Sequence, residues 1–97
     1  MANYQLSQAA QCDLEDILFY GMELFGVEQA LRYKNSVVTQ FEQIAESPLL
    51  YQKLDEPLQK YRRCTHKGHS IYYLIEEDGV LIVRILKQQD RDKILSH

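Results

Sequence analysis

The chain has 97 residues, of which 45% are hydrophobic and 26% charged, and its formal net charge at pH 7 is −3. This length supports one modest hydrophobic core and is too short for two. No apolar run reaches the roughly 20 residues that span a bilayer, and the first residues lack the basic and apolar regions of a signal peptide. We therefore expect a single cytoplasmic domain over residues 1–97, with no membrane contact and with Cys12 and Cys64 as free thiols.

The charge is divided unevenly along the chain. Residues 1–59 carry three cations and nine acids, a net charge of −6, whereas residues 60–97 carry eight cations and five acids, a net charge of +3. The basic half either meets an anionic partner or faces the acidic half within the fold. Charge alone leaves both readings open.

The first elements are an edge strand and an amphipathic helix. The alternating stretch NYQLS predicts the strand, and Ser7 stands where a helix N-cap is expected. Apolar residues then recur at three- and four-residue steps up to Gly26, which suits a helix C-cap. The predicted apolar face comprises Ala10, Leu14, Ile17, Leu18, Gly21, Leu24 and Phe25, and the predicted solvated face comprises Asp13, Asp16, Tyr20 and Glu23.

A second helix follows after one or two residues, which makes the pair an antiparallel hairpin. Its apolar stripe runs from Ala30 through Tyr33 and Phe41 to Ala45, and Pro48 ends it. The segment PLLYQKLDEPLQK has two prolines and no stable period, so we expect a loop there.

The remaining pattern is that of strands. Residues 61–67 and 69–75 are predicted strands joined through Gly68, residues 76–79 form a turn that ends in Asp-Gly, and residues 81–86 form the last strand. The order predicts an α+β fold, β-α-α-β-β-β, with an N-terminal strand, an antiparallel helix hairpin and a three-stranded antiparallel sheet. We expect one core between hairpin and sheet, containing Leu14, Ile17, Leu18, Phe41, Ile44, Val83 and Ile85.

The stretch YRRCTHKGHSIYYLI, residues 61–75, concentrates cations, histidines and tyrosines. Metal-free cleavage of RNA needs a base, an acid and cations for the phosphate, and these residue types can supply them. Tyr61, Tyr72 and Tyr73 are most simply explained as sheet residues, because aromatic side chains fit a pleated, half-buried surface. Strand alternation places Arg62 and His66 on one face and Arg63 on the other, so they cannot all converge on one substrate.

The chain resembles the ParE branch of the RelE/ParE toxins from about residue 7 to about residue 91. The resemblance lies in AAQCDLEDILFYGMELFGVEQALRY, the helix end ESP, the hairpin YRRCTHKGHSIYY and the strand VLIVRIL, in that order. It implies a small bacterial toxin that forms a hetero-oligomer with a cognate, ParD-like antitoxin encoded beside it. ParE-like members are thought to inhibit DNA gyrase without chemistry of their own, so the expected function is non-enzymatic gyrase inhibition.

Two alternatives remain open within this resemblance. RelE-like members cleave messenger RNA in the ribosome, and here His66 or His69 could transfer the proton. An inactive member that only binds its antitoxin is also open, because Lys87 stands where ParE-type proteins often have a histidine. Lysine keeps a cation at that position but removes a base that titrates near neutral pH.

The candidate site residues follow from charge and from position. Arg84, Lys87 and Arg91, at and beyond the last strand, are the candidates for contact with the target. Candidates for antitoxin binding are Arg62, Arg63, Tyr20 and Leu24. No metal-type spacing and no glycine-rich phosphate loop occurs in the sequence, so we expect no cofactor and no metal. The resemblance further implies no sequence-specific DNA binding by the toxin alone.

Overall fold

A computed structural model describes residues 3–87 and 93–95. The elements are, in chain order, β1 (Tyr4–Leu6), α1 (Gln8–Phe25), α2 (Val27–Glu46), β2 (Gln52–Lys53), β3 (Arg62–His66), β4 (His69–Glu76) and β5 (Gly79–Lys87). In the described part of the chain, neither helix combines the length and the apolar character that crossing a membrane requires.

The helix hairpin forms as its sequence predicts. The Ser7 hydroxyl accepts a hydrogen bond from the Ala10 N–H at 3.0 Å, which satisfies one of the free donors of the first turn of α1. Gly26 has a φ of 90° and separates the two helices, and its N–H donates to the Met22 carbonyl. The positive φ suits glycine because it has no Cβ. α2 then ends at Glu46, just before Pro48.

The sheet is larger than predicted and it is mixed. Its five strands lie in the order β1-β5-β4-β3-β2, and β1 pairs with β5 in parallel. The predicted antiparallel unit of β3, β4 and β5 is present. The predicted three-stranded antiparallel sheet was wrong in leaving out β1 and β2, which form its two edges. The expected loop at residues 48–60 contains β2, which pairs with the start of β3. A two-residue strand carries no periodicity in the sequence, and only its partner strand defines it.

The sheet is covered on both faces, so the expectation of one core was wrong. Phe41, Ile44 and Ile85 pack in the cluster between sheet and helices, with Leu14 and Ile17 partly buried against it. Val83 lies in a second cluster, whose other buried members are Leu54, Tyr61, Tyr72, Leu86 and Ile94. Side chains alternate along β5, and the register shift opposite Tyr72 and Tyr73 adds a residue to that strand. The loop before β3 and the segment at Ile94 supply the cover that makes the second face apolar.

Beyond the end of β1, residues at the start of α1 bind the backbone of β5 in place of a neighbouring strand. The Ser7 N–H donates to the Ile82 carbonyl at 2.9 Å, and its hydroxyl donates to the Val83 carbonyl at 2.8 Å. The Asp13 carboxylate accepts from the Ile85 N–H at 3.0 Å and binds the Arg84 guanidinium at 2.7 and 2.8 Å. Asp13 is therefore part of the structure, and its predicted place on the solvated face of α1 was wrong.

Candidate functional site: a groove beside the helix hairpin

A groove of about 470 Å³ opens between the helix hairpin and the turn that joins β3 to β4. Its walls are mainly apolar, and Lys67 and His69 stand at the side that the sheet forms. The lining residues are Ile17, Leu18, Tyr20, Gly21, Phe25, Gln29, Ala30, Arg32, Tyr33, Lys67 and His69. A concave, largely apolar surface with a few polar groups at one side is typical of a binding site.

The end of the hairpin next to the groove exposes large apolar side chains. We call this surface the hairpin tip, and it comprises Phe19, Tyr20, Met22, Leu24, Phe25, Val27 and Leu31. Phe25 is 70% exposed and Leu24 54% exposed, although the periodicity of α1 had placed both on its buried face. Contiguous exposed apolar surface on a small protein commonly marks an interaction site.

Two histidines and a tyrosine form a cluster beside the groove. His66 and His69 face each other across the β3–β4 hairpin. The His66 Nε2 lies 3.0 Å from the Ser36 Oγ, and the His69 Nδ1 lies 3.3 Å from the Tyr33 hydroxyl. The Tyr33 ring meets both imidazole rings edge-on, with centroid distances of 5.7 and 5.8 Å. α2 therefore holds both histidines in place through polar and aromatic contacts.

The surroundings keep these groups uncharged near neutral pH. Burial lowers the pKa of His66 and of His69 below the ordinary value of 6.5. The Lys67 charge lowers the pKa of His66 further. For His69, a hydrogen bond with the Lys67 backbone acts in the opposite direction, the Lys87 charge adds to the lowering, and the net pKa is lowered. Burial raises the pKa of Tyr33 to about 12. The cluster can donate and accept hydrogen bonds at neutral pH, but its tyrosine cannot act as a base there.

The lowered histidine pKa values predict a loss of stability on acidification. Between the native pKa and the unfolded value near 6.5, the unfolded chain binds more protons, so the free energy of unfolding falls as the pH falls through this range. Urea unfolding at pH 7.5, 6.5 and 5.5 measures this. The double variant His66→Gln/His69→Gln should show a smaller decrease than wild type, and an equal decrease in both proteins would assign the effect to other groups.

Two residues predicted for different partners lie together at the groove. The Lys87 Nζ stands 5.8 Å from the centre of the Tyr20 ring, within the range of a cation–π contact, and Lys87 pairs with His69 across the strands. Tyr20 is 59% exposed. The predicted target contact of Lys87 and the predicted antitoxin contact of Tyr20 therefore fall on one surface.

The predicted arginines lie elsewhere. Arg84 is bound to Asp13, both side chains being 12% exposed, and also donates to the Lys93 carbonyl at 3.0 Å. Arg62 donates to the Tyr51 carbonyl at 2.7 Å, and it lies with Arg63 at the end of β3 that pairs with β2. Arg91 lies outside the described residues. Arg84 thus has a structural role, and the partner contacts predicted for these four arginines stay predictions.

The geometry disperses the groups that RNA cleavage would need. Arg62 and Arg84 have partners within the fold, away from the histidine pair. Lys67 and Lys87 lie near the histidines and act on their pKa values through charge, whereas Arg32, which lines the groove with His69, is paired with Glu28. Because Arg32, Arg62 and Arg84 are engaged with other groups, none of these three offers its guanidinium as bidentate support for a phosphate between the histidines.

Sequence reasoning missed several residues of this site. Tyr33 was assigned to the apolar stripe of α2, and Ser36, Lys67 and Phe25 were given no part in a site. For Lys67 and Gly68 a signal was available, since a two-residue turn between strands places its residues at positive φ. Lys67 has a φ of 47° and Gly68 of 85°.

The fold itself is that of known toxins. One chain of the chromosomal ParDE toxin–antitoxin system of P. aeruginosa superposes with a TM-score of 0.77 at 20% identity, covering 90% of this chain and 96% of that chain. A chain of the RelBE2 toxin–antitoxin complex of Mycobacterium tuberculosis superposes with a TM-score of 0.62 at 15% identity, covering 90% and 98%. The class is therefore a small α+β protein with the fold of RelE/ParE toxins.

Sequence comparison narrows this class to one family. Residues 4–91 match the family described as the ParE toxin of the type II toxin–antitoxin system parDE. Toxin ParE1 of Caulobacter vibrioides is 38% identical over 88 residues, and Toxin ParE1 of Mycobacterium tuberculosis is 30% identical over 89 residues, each alignment covering 91% of both chains. The chain belongs to the ParE toxin family, which confirms the resemblance predicted from its sequence.

Proposed function

We propose that this ParE-family toxin inhibits DNA gyrase by binding it and is neutralised by a ParD-like antitoxin that covers the groove and the hairpin tip. The observation that carries the binding role is the exposed apolar hairpin tip beside an open groove. Leaving several large apolar side chains in water is unfavourable, and a protein partner that buries them gains the free energy of their desolvation. The choice of gyrase rests on membership of the family.

The pKa values and contacts of the cluster formed by Tyr33, His66 and His69 support a toxin that acts by binding and not by catalysis. A general base and a general acid must titrate near the working pH and reach the reacting atoms. Tyr33 has its pKa raised to about 12, and the histidines are engaged with Ser36 and Tyr33. These contacts hold the β3–β4 hairpin against α2, which accounts for the two histidines as structural residues.

Controlled expression of the toxin without its antitoxin tests this function. Gyrase inhibition predicts filamentous cells, an SOS response and arrest of DNA replication before translation stops. Co-expression of the antitoxin should restore growth. Purified toxin should inhibit supercoiling by purified gyrase, and unchanged supercoiling at saturating toxin would contradict the proposal.

A second function is favoured by one observation. His66, His69, Lys67 and Lys87 stand close together, and neutral histidines beside cations are suitable for metal-free RNA cleavage. This RelE-like activity predicts immediate arrest of translation and cut messages on ribosomes. Loss of cutting in His66→Gln or His69→Gln would establish it. An inactive, antitoxin-binding member would leave growth, replication and translation unchanged.

Gyrase inhibition makes a further prediction at Lys87, which is exposed at the end of β5. Contact with gyrase through charge tolerates another cation, so Lys87→Arg should keep most of the toxicity while Lys87→Glu should weaken it strongly. We expect a fall of about tenfold or more in gyrase inhibition for Lys87→Glu. Equal inhibition by the two variants would remove Lys87 from the contact.

A further inference from the structure

We propose that the groove and its cationic side bind one particular kind of antitoxin segment, in which a bulky apolar side chain is followed by carboxylates. The apolar side chain enters the groove, and the carboxylates bind Lys67 and Lys87. We call these two lysines, with His69 between them, the cationic rim. This inference rests on the proposed function, because it assumes that an antitoxin covers this surface, and it adds the chemistry by which the segment is recognised.

Among the residues that the structure describes, the two lysines of the cationic rim have no carboxylate partner. In the region covered by residues 3–87 and 93–95, the ion pairs are Arg32 with Glu28 and Arg84 with Asp13, and no carboxylate lies within 4.0 Å of the Lys67 or Lys87 ammonium. Positive charge from Lys67 and Lys87 acts on the neighbouring histidines, since each lysine lowers a histidine pKa there. An anionic group placed at the rim would therefore meet two lysine ammonium groups with complementary charge.

The backbone at Lys67 supports a role beyond the turn itself. With a φ of 47°, Lys67 adopts a left-handed conformation that costs stability for a residue with a side chain. Asparagine is the residue that suits the first position of such a turn before glycine. The lysine therefore occupies a place where a better turn residue is available, and its charge accounts for its presence at the mouth of the groove.

On the side opposite the cationic rim, the groove is suited to an apolar side chain. Its helical walls come from Ile17, Leu18, Phe25 and Ala30, and its volume of about 470 Å³ lies in the range of pockets that bury small ligands. Phe25 is 70% exposed, so it gains contacts when a side chain enters beside it. The groove is thus mainly apolar on the side of the hairpin, where Arg32 is paired with Glu28, and it is cationic on the side of the sheet.

This polarity favours a peptide over a nucleic acid. Residues 8–46, which hold the hairpin, carry seven acids and two cations. A phosphate backbone that continued past the rim would meet this acidic surface, whereas a segment with carboxylates at one end only avoids the repulsion. The observations therefore favour an extended or helical acidic segment of the antitoxin as the occupant.

The full-length toxin and the full-length antitoxin encoded beside it, purified separately, provide the test. Calorimetry at 50 and 300 mM NaCl should give a lower affinity for the double variant Lys67→Glu/Lys87→Glu, by about tenfold or more at the lower salt. The matched control Lys34→Glu/Lys53→Glu changes the net charge equally at exposed lysines outside the groove, and it should stay within about twofold of wild type.

A single variant separates recognition from folding. Lys67→Asn relieves the strained turn, so its midpoint of urea unfolding should rise while its affinity for the antitoxin falls.

Phe25→Ser should also weaken binding, whereas Leu49→Ser, at a residue 74% exposed outside the hairpin, should not. Lysine substitutions of single antitoxin carboxylates should include one that restores affinity for the Lys67→Glu/Lys87→Glu toxin.

The failures can be told apart. If Lys67→Glu/Lys87→Glu and Lys67→Asn both bind the antitoxin as tightly as wild type while Phe25→Ser binds it weakly, the carboxylate contact is wrong and the proposed neutralisation stands. If the antitoxin does not bind wild-type toxin, the proposed neutralisation fails and this inference with it. If a 20-nucleotide RNA binds wild type and loses binding in the Lys67→Glu/Lys87→Glu variant, with antitoxin affinity unchanged, the rim belongs to RNA and this inference is overturned.

Discussion

Replacing Asp13 with alanine is expected to destabilise the protein by about 3–5 kcal/mol, because the change removes a carboxylate that binds a guanidinium at a largely buried position. The Arg84 and Asp13 side chains are each 12% exposed, and Asp13 also accepts the Ile85 N–H. Alanine therefore removes two charge-assisted hydrogen bonds and leaves a strand donor without its acceptor. Urea unfolding at pH 7 and constant salt measures the loss.

Two further variants show which part of the contact matters. Asp13→Asn keeps an acceptor for the Ile85 N–H but removes the charge, so it should cost less than alanine. The double variant Asp13→Ala/Arg84→Met removes both charges of this ion pair, and it should recover part of the stability. Asp16→Ala, at an exposed carboxylate in the same helix, serves as the control and should change stability by less than about 0.5 kcal/mol. An Asp13→Ala protein as stable as this control would contradict the structural role.

The second large effect is expected at Phe41. This side chain is fully buried between α2 and the sheet, and its ring lies 5.4 Å from the centre of the Tyr4 ring. Phe41→Ala removes this contact and leaves a cavity in the centre of the core, so we expect a loss of about 3–5 kcal/mol. A decrease of this size is a large part of the stability of a small domain, and the variant should be partly unfolded at 37 °C.

Phe19→Ala is the matched control for Phe41→Ala, because it makes the same chemical change at a residue 61% exposed on the hairpin tip. The free toxin should lose less than about 0.5 kcal/mol from it. Its effect should instead fall on antitoxin affinity, since the proposed complex buries the hairpin tip. Similar losses of stability in the two variants would mean that the hairpin tip is packed in the free protein, which would contradict the binding surface.

The two variants together distinguish residues that hold the fold from residues that serve binding. Phe41 and Asp13 lie at contacts between elements, and their substitution should lower stability and activity together. Phe19, Phe25 and Lys87 lie on exposed surface, and their substitution should change partner binding with little change in stability. Measuring stability and partner binding on the same set of variants shows whether each residue stabilises the fold or serves binding.

The sequence by itself determined the local elements and the family. Ser7 and Gly26 mark the start and end of α1 because caps act through hydrogen bonds and φ angles within a few residues. The alternation along β3 and the turn at Gly68 are local in the same way, and both agree with the structure. The family resemblance also needed no tertiary contact, since it lies in the order and spacing of short segments.

Only the tertiary structure decided the contacts that join distant segments. Asp13 and Arg84 are 71 residues apart, and β1 pairs with a strand that begins more than 70 residues later. Nothing in a local period distinguishes such a partner, because pairing depends on which faces are buried when the whole chain closes. In the sequence, Val83 cannot be distinguished from any other strand residue that faces a core. It lies in a second core because the loop before β3 and Ile94 pack against that face of the sheet.

The candidate site shows the same division. The residue types of the stretch from Tyr61 to Ile75 indicated a functional surface, but the sequence did not show that α2 holds its histidines through Tyr33 and Ser36. Nor did the period of α1 show that Leu24 and Phe25 remain exposed. The helical period extends the apolar stripe to the end of the hairpin. The period does not show whether a packing partner covers that part of the stripe, and burial depends on such a partner.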